Sequence, residues 1–278
     1  MSTPFPIIFV SHGSPMTALE PREAGAFMQR LGETMTRQFG KPRAVLAVSA
    51  HGLASRPTLL AAARHEAVYD FGGFSPALYT LRYDAAGAPG LADDIVRASS
   101  GAIQAHPGGG LDHGIWTPLR YIYPEADVPV LPLAFVPTQS PAQQFELGRM
   151  LATLPDQGVL VLASGSITHN LRRVFGAPAP AIDADEAPES AAFRSWFERT
   201  AAAADWPALL AYRRQAPFAQ DMHPTDEHLL PWFVAAGAAG TAYPALRIHD
   251  SLTFGVLGMD AYAFGASAPS LRAALQTA

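Results

Sequence analysis

Cysteine is absent from this chain of 278 residues. Without thiols the protein cannot form disulfides, and it cannot build a zinc finger or an iron–sulfur cluster that depends on thiolate ligands. Any metal site must therefore be made from histidine, aspartate and glutamate side chains.

Charged residues and long apolar runs are also scarce. Charged residues make up 15% of the chain, the net charge is −5, and Lys and Arg form no run. A nucleic-acid partner needs a concentrated basic face, so we expect none. No uninterrupted apolar run approaches the roughly 20 residues that span a bilayer, and the start of the sequence lacks the basic region of a signal peptide. We therefore expect a cytoplasmic protein with no membrane partner.

The hydrophobic share is 49%, enough for a large core, and it is distributed in a pattern typical of buried strands and helices. Continuous runs rich in Val, Ile and Leu predict strands at 6–10, 44–48, 128–135 and 158–163. Apolar residues at three- and four-residue spacing predict helices at 24–39, 141–154, 191–204 and 228–238, with Ser140 as an N-cap. The alternation predicts an α/β fold with a mostly parallel, mixed sheet and helices on both faces.

We expect a single catalytic domain over residues 1–278. The segment 176–188 is rich in Pro, Ala and Asp and is typical of a surface loop. It does not resemble a domain linker, because the strong motifs on both sides of it point to one shared site.

Three histidines each follow a predicted strand. His12 comes directly after the first strand, His51 comes after the second, and His169 follows the strand at 158–163. Ligands of open α/β sheets bind beyond the carboxyl ends of the strands, so we expect these imidazoles to converge there. Neutral imidazole is a common ligand of zinc, iron and copper. The placement predicts one divalent metal at the carboxyl-terminal edge of the strands.

Two further segments supply more imidazole. His113 follows Asp112 at the end of a glycine-rich loop, and His223 and His228 precede an apolar helix. Thr225 and His228 resemble a helix start, which predicts that His228 lies in the first turn and faces the sheet edge.

Other motifs point to no site. The tract GGG at 108–110 lacks the spacing of a phosphate-binding loop. The sequence SGSI at 164–167 lacks the G-x-S-x-G elbow of a serine hydrolase. His65 and His249 have ordinary polar neighbours, and we expect both to be solvated surface residues.

Seven motifs, in order from about residue 7 to residue 265, resemble one known family. They are FVSHGSPM, VSAHG, YDFGGF, GLDHGIWTPLRYIYPEADVPV, SGSITHNLRR, HPTDEHLLPWFVAAGAA and MDAYAFG. Together they resemble the DOPA-dioxygenase (LigB-like) branch of the class III extradiol ring-cleavage dioxygenases. The resemblance implies one catalytic non-haem metal, expected to be Fe(II) for activity, although Zn(II) suits the same histidines. It also implies a catechol-type substrate, DOPA-like or larger, opened by O2 beside its two hydroxyls.

The resemblance also implies roles for individual histidines. His12 and His51 look like the first two metal ligands, and His228 occupies the position of the third, where the wider superfamily has a glutamate. His169 resembles the acid/base histidine beside the metal. His113 resembles a residue that contacts the substrate hydroxyl or the oxygen.

Further residues are candidates to support these histidines or to contact the substrate. His223 is near enough to His228 in sequence to compete for its role, and Asp112 is a candidate to orient His113 and fix its tautomer. Candidates for an apolar wall are Phe74, Tyr79, Tyr83 and Trp116. The family usually has aromatic residues where this chain has Gly52 and Gly72, which implies room for a substrate larger than a simple catechol.

Two other functions suit the same histidines. A zinc hydrolase would hold Zn(II) and a bound water with three imidazoles, and it would work without oxygen. A non-catalytic metal-binding relative on the same scaffold is the second alternative, because fold alone does not determine function.

Overall fold

A computed structural model describes residues 3–277, which are organised around an eight-stranded sheet. The strands of the described chain are β1 (Ile7–Ser11), β2 (Ala44–Ser49), β3 (Thr58–Leu60), β4 (Arg64–His65), β5 (Ala85–Ala86), β6 (Gln104–His106), β7 (Val130–Ala134), β8 (Val159–Gly165), β9 (Leu246–His249), β10 (Leu252–Thr253), β11 (Leu257–Gly258) and β12 (Ala261–Phe264). The order in the main sheet is β6-β3-β7-β2-β8-β1-β12-β9.

Helices connect these strands. In residues 3–277 they are α1 (Arg22–Phe39), α2 (Pro89–Ala98), α3 (His113–Ile122), α4 (Pro141–Arg149), α5 (Leu171–Val174), α6 (Pro188–Ala202), α7 (Trp206–Leu210), α8 (Tyr212–Gln215), α9 (Ala219–Met222), α10 (Leu230–Ala239) and α11 (Ala268–Gln276). Short 3-10 turns lie at Pro15–Ala18, Pro76–Thr80 and Pro155–Gln157. Within this part of the chain, none of the helices combines the length and the apolar character needed to cross a membrane.

The sheet is mixed, with a parallel centre. Strands β7, β2, β8 and β1 run parallel to one another, whereas β12 and β9 add an antiparallel edge. On the other side β3 pairs antiparallel with β7 and parallel with β6. This confirms the predicted α/β fold with a mostly parallel mixed sheet.

The apolar strand sequences follow from burial on both faces. In β1, Ile7 and Phe9 lie in one core with side chains of α4, α6 and α10. Ile8 and Val10 point to the opposite face and pack with α1, α3 and α11. Because successive side chains of a strand point to opposite faces, a strand covered on both sides needs an apolar residue at every position.

Several helices begin or end at residues that differ from the predicted ones. Ser140 caps α4 as predicted, and its side chain and that of Gln143 form a reciprocal capping box. However, α4 ends at Arg149, and turns rather than helix follow. The helix predicted from His228 begins at Leu230 instead, so His228 lies in the turn before it. The segment 176–188 has no helix or strand before α6 begins at Pro188.

Candidate metal centre and active site

Two histidines and a serine meet where three neighbouring parallel strands end. His12 follows β1 directly, His51 follows β2 after one residue, and Ser164 lies near the end of β8, which separates those two strands. The Nε2 atoms of His12 and His51 are 3.2 Å apart. The sheet topology therefore delivers both imidazoles to one point, as the strand positions predicted.

Glycines allow other segments to approach this point closely. A Cβ atom at Gly165 would lie 2.0 Å from the backbone oxygen of His228, and one at Gly114 would lie 2.3 Å from the Ser49 hydroxyl and 3.2 Å from the His12 ring. The amide of Ser166 donates a 2.8 Å hydrogen bond to the same His228 oxygen. These contacts fix the turn before α10 and the start of α3 against the ends of the strands.

Ser164 determines the tautomer of His12. The Ser164 hydroxyl donates its single proton to the carbonyl oxygen of Gly114, and it lies 2.9 Å from His12 Nδ1. Towards His12 it can therefore only accept, so Nδ1 carries the ring proton. The Nε2 atom of His12 is left with a bare lone pair.

Asp70 is bonded to the ring of His113 and lies close to that of His51. Its Oδ1 atom accepts hydrogen bonds from His113 Nδ1 at 2.9 Å and from the His113 amide at 3.0 Å. Its Oδ2 atom is 3.5 Å from His51 Nδ1. A carboxylate is only an acceptor, so it favours a proton on the Nδ1 atom of both rings.

These tautomers leave two lone pairs facing each other. Nε2 of His12 and Nε2 of His51 are 3.2 Å apart, yet neither carries a proton in the arrangement that Ser164 and Asp70 favour. Two such atoms repel unless a cation lies between them, and a divalent metal is the cation that neutral imidazoles bind. The donor set therefore fits a metal ion.

Burial keeps the imidazoles of this site neutral. It lowers the pKa of His12 and of His228 well below the ordinary histidine value, and neighbouring imidazoles add to the effect. Burial also lowers the pKa of His51 and of His169 to about 4. At neutral pH these four rings are uncharged, which is the form that binds a metal.

The remaining predicted histidines lie on two sides of the His12–His51 pair. One nitrogen each of His12, His51 and His113 lie within 4.8 Å of one another, forming a three-histidine group. The ring of His228 has its centroid 5.6 Å from that of His12 and 5.1 Å from that of His51. The structure thus brings both His113 and His228 to the pair.

His228 and His169 form the second side of the site. Their rings stack in parallel with centroids 3.4 Å apart, and the Nδ1 atom of His228 lies 3.0 Å from the Glu227 carboxylate. One ligand atom from each of these three residues lies within 4.8 Å of the others. Glu227 was not predicted, although its place beside His228 in the motif HPTDEH was a local signal.

The ring of His223 is hydrogen-bonded to the backbone and not to the His12–His51 pair. Its ring is fully buried, its Nε2 atom donates a 2.7 Å hydrogen bond to the carbonyl oxygen of Ile167, and burial lowers its pKa to about 3. The next residue but one after Ile167 is His169, whose amide donates to the carbonyl of Met222. His223 therefore supports the segment that carries His169.

The prediction that Asp112 orients His113 is wrong. The carboxylate bonded to the His113 ring is that of Asp70, which comes 43 positions earlier, whereas Asp112 accepts a 2.6 Å hydrogen bond from the Ser49 hydroxyl. Burial raises the pKa of Asp112 to about 6. Asp70 is part of the motif YDFGGF, and that motif was the available signal for it.

The aromatic wall differs in part from the predicted set. Phe71, which was not predicted, lies edge-on to His113 with ring centroids 5.6 Å apart, and Phe74 packs against Phe71 at 5.8 Å. Trp116 is fully buried and donates its indole N–H to the carbonyl of Val68, so it supports the wall from behind. Tyr83 is buried in the core, with its hydroxyl on a backbone carbonyl. Tyr79 is partly exposed beside Phe71.

Of the two histidines expected at the surface, one is buried and the other is half-buried. His65 is only 1% exposed, and its Nδ1 atom accepts a hydrogen bond from the Gly110 amide. His249 is half-buried and stacks on Phe27 with ring centroids 4.4 Å apart. Polar neighbours in the sequence did not reveal these tertiary contacts.

Comparisons with known proteins agree with this geometry. The model of the family described as the catalytic LigB subunit of aromatic ring-opening dioxygenase matches residues 6–265. The 4,5-DOPA dioxygenase extradiol of Beta vulgaris is 37% identical, over 92% of this chain and 95% of its own length. The protein of the same name from Escherichia coli K12 is 33% identical, over 93% of this chain and 94% of its own length.

A solved structure shows the same fold. The uncharacterized protein JW3007 from Escherichia coli K12 matches with a TM-score of 0.74 and 26% identity, covering 94% of this chain and all of that one. The comparisons confirm the predicted family and enzyme class, a metal-dependent ring-cleaving dioxygenase of the extradiol type. The chain therefore belongs to the family of the catalytic LigB subunit of aromatic ring-opening dioxygenases.

Proposed function

We propose that this enzyme opens the ring of a catechol-type substrate, DOPA-like or larger, with O2, using Fe(II) held by His12, His51 and His228. The observation that carries the proposal is the pair of Nε2 atoms of His12 and His51, 3.2 Å apart, at the carboxyl ends of β1 and β2. Relatives named 4,5-DOPA dioxygenase extradiol support the catechol class. Zn(II) suits the same nitrogens, so the metal of a purified sample does not identify the working metal.

His228 is the proposed third ligand. Its backbone is held against β8 by Ser166 and Gly165, and its Nδ1 atom faces Glu227 at 3.0 Å. Metal-binding histidines commonly give their other ring nitrogen to a carboxylate, which fixes the ring and its tautomer. This arrangement leaves Nε2 of His228 free for a metal.

His113 is proposed to contact the substrate. It lies between the His12–His51 pair and the edge of Phe71. A catechol ring beside Phe71 would bring a hydroxyl to His113 Nε2, while Asp70 holds the proton on Nδ1. The resemblance to the family favours the same division, with His113 outside the ligand set.

Proton transfer is assigned first to His169 and second to His113. A bound divalent metal supplies the Lewis acid and the path for electrons between catechol and oxygen. The protein must take a proton from the catechol hydroxyl when it binds and return one when the ring opens. His169 is half-buried beside His228, where an imidazole nitrogen can make that exchange.

Two glycines, Gly52 and Gly72, stand where the resemblance to the family implies aromatic residues. A Cβ atom at Gly52 would meet only ordinary contacts, at 3.4 Å or more, and one at Gly72 would meet nothing within 4 Å. A side chain would therefore fit at either position, and its absence leaves space.

We propose that residues 1–278 act as one catalytic domain in the cytoplasm, where a reducing environment preserves Fe(II), and that the enzyme takes part in the breakdown of aromatic compounds. The family model spans 6–265, which supports a single catalytic unit.

Oxygen uptake tests the proposed function. Protein loaded anaerobically with Fe(II) is given a panel of catechols with and without an amino-acid side chain, and absorbance is followed for a yellow ring-opened product. We expect uptake matched to product for at least one catechol, and none after the metal is chelated. Bound Fe(II) without oxygen uptake on any catechol would contradict the proposal, and oxygen-independent hydrolysis by the zinc form would favour the hydrolase.

A further inference from the structure

Arg194 and Asp260 form a buried ion pair. Arg194 lies on α6 and is 5% exposed, and Asp260, between β11 and β12, is fully buried. The guanidinium donates two hydrogen bonds to the Asp260 carboxylate, at 2.8 and 3.0 Å, and others to the carboxylates of Glu186 and Asp250. Such a pair contributes little to stability compared with packed apolar side chains, but its bidentate geometry fixes the positions of the two elements that carry it.

One contact of this ion pair reaches the segment that carries His169. A Cβ atom at Gly258 would lie 2.7 Å from Arg194 Nε, so the guanidinium packs directly against this glycine. The Gly258 amide donates a 2.7 Å hydrogen bond to the hydroxyl of Thr168, which is fully buried. Because Thr168 directly precedes His169, a shift of Gly258 is passed to that histidine.

A second contact reaches the segment that carries His12. The Asp260 carbonyl accepts hydrogen bonds from the amide and the hydroxyl of Ser11, at 3.1 and 2.9 Å, and Ser11 directly precedes His12. The same hydroxyl accepts a 3.3 Å hydrogen bond from the amide of Ile167. The residues before the two histidines are therefore cross-linked through the turn that carries Asp260.

The two histidines differ in how much other support they have. The amide of His12 donates to the Gly165 carbonyl at 3.1 Å and its ring lies 2.9 Å from the Ser164 hydroxyl, so β8 holds it independently. His169 lies beyond the end of β8, in a segment without helix or strand, where its amide donates to the carbonyl of Met222. Loss of the ion pair should therefore displace His169 more than His12.

We propose that Arg194 and Asp260 are positioning residues that hold His169 in place relative to the metal ligands. They act through the hydrogen bonds of residues 258–260, and neither touches a reactant. The consequence for turnover rests on the proposed function, in which His169 transfers a proton, whereas the positional effect does not.

Two variants and one control test the ion pair. The double variant Arg194→Met with Asp260→Asn removes both charges with little change in volume, so neither partner is left as an unpaired charge in the core. Arg194→Lys is the milder variant, because an ammonium keeps the charge but cannot make the two parallel bonds of a guanidinium. Ile95→Ala is the matched control, since Ile95 is also buried but lies on α2, which packs against β6 and β7 at the opposite end of the sheet.

Amide hydrogen exchange, with and without added zinc, measures the positional effect without turnover. In the double variant we expect the amides of Ser11, Ile167 and Gly258 to exchange roughly tenfold faster relative to the amides of β2 in the same protein, because their segment opens locally. In Ile95→Ala we expect no such local change. With Fe(II) loaded, kcat of the double variant should fall roughly 10- to 100-fold while metal content stays near one per chain, and Arg194→Lys should lose less.

A second background shows whether the effect on turnover acts through His169. Residues that act as a unit have non-additive effects on rate. With His169→Ala already present, the double variant should therefore change the residual rate by less than about twofold. An equal loss in both backgrounds would show a general structural effect and overturn the proposal.

The exchange measurement can also overturn it. Unchanged exchange at Ser11, Ile167 and Gly258 in a folded double variant would do so, and so would a similar local change in Ile95→Ala. If the double variant does not fold, Arg194→Lys decides by the same measure. Faster local exchange in the double variant of a protein that cleaves no catechol would support the role of the ion pair but refute the proposed function.

Discussion

At the scale of single residues, the direction of the Ser164 hydroxyl proton determines which ring nitrogen of His12 is available to bind a metal. Ser164 donates to the Gly114 carbonyl, so it can only accept from His12 Nδ1. His12 is 2% exposed, and a buried ring without this partner would be free to hold its proton on Nε2. The serine thus leaves the Nε2 atom of a buried histidine available to bind a metal.

Replacing Ser164 tests this effect. In Ser164→Ala the His12 ring loses its acceptor, so Nε2–H becomes accessible and must be deprotonated before a metal binds. We expect metal affinity to fall roughly 10- to 100-fold in equilibrium dialysis at pH 7. Ser190→Ala is the matched control, because Ser190 is also buried but bonds to Glu186 on a different part of the protein. Equal affinity in both variants would show that Ser164 has no such role.

Functional residues could be predicted from the sequence only where their position along the chain, relative to the strands, was sufficient. His12 and His51 lie within two residues of a strand end, and strand ends converge in a parallel sheet, so sequence position sufficed. Their partners act across the fold, since Ser164 is 152 positions from His12. Proximity in sequence favoured Asp112 as the partner of His113, but α3 starts in a direction that turns Asp112 towards Ser49.

At the scale of elements, the segment that carries His169 is held by the end of α9. The His169 amide donates to the carbonyl of Met222, the last residue of that helix, and the Asn170 side chain bonds to Asp221. The His223 ring, packed against Phe193 at 5.5 Å, donates to the carbonyl of Ile167. The position of His169 therefore depends on a segment more than 50 residues away.

We expect His223→Leu to impair turnover but not metal binding. The change leaves the buried carbonyl of Ile167 without a donor, which costs about 1–3 kcal/mol, and the segment relaxes to regain a partner. A displaced His169 should lower kcat roughly 10- to 100-fold, while metal content stays near one per chain. His223→Gln, whose amide can donate to Ile167, should recover part of the turnover. Unchanged kcat in His223→Leu would refute the support role, and loss of metal would make His223 a ligand.

The elements themselves were largely predictable from their apolar pattern. Strands buried on both faces have continuous apolar sequences, which is why β1, β2 and β8 were recognisable. Strands β9 and β12, segments of four residues that lie in antiparallel order beside β1, were not recognised. The helix before Gly240 starts two residues later than predicted, because the His228 backbone bonds to β8 instead of entering a helical turn.

At the scale of the whole molecule, buried histidines make the fold sensitive to acid. Burial lowers the folded-state pKa of His51, His169 and His249 to about 4, below the ordinary value of about 6.5 in an unfolded chain. Between these values the unfolded state binds protons that the folded state does not. The free energy of unfolding is therefore highest above pH 6.5 and falls as the pH falls from there through about 4.

His249 offers a way to measure one such contribution away from the metal site. His249→Phe keeps the stacking on Phe27 but removes the titrating group. Between pH 7 and pH 4 the original protein should lose about 2 kcal/mol more unfolding free energy than the variant, after allowance for the partial exposure of the ring. Urea unfolding at several pH values gives the comparison. Parallel pH curves for the two proteins would contradict the assignment.

In the proposed division of roles, His12, His51 and His228 bind one catalytic metal, whereas His113 and His169 act on the substrate. The most direct test is the iron content of the five single His→Ala variants after anaerobic loading, measured with catechol turnover on the same samples. We predict that His12→Ala, His51→Ala and His228→Ala lose metal and activity together, whereas His113→Ala and His169→Ala keep about one metal per chain and lose most turnover. Retention of metal in His228→Ala with its loss in His113→Ala would contradict this account and make His113 the third ligand.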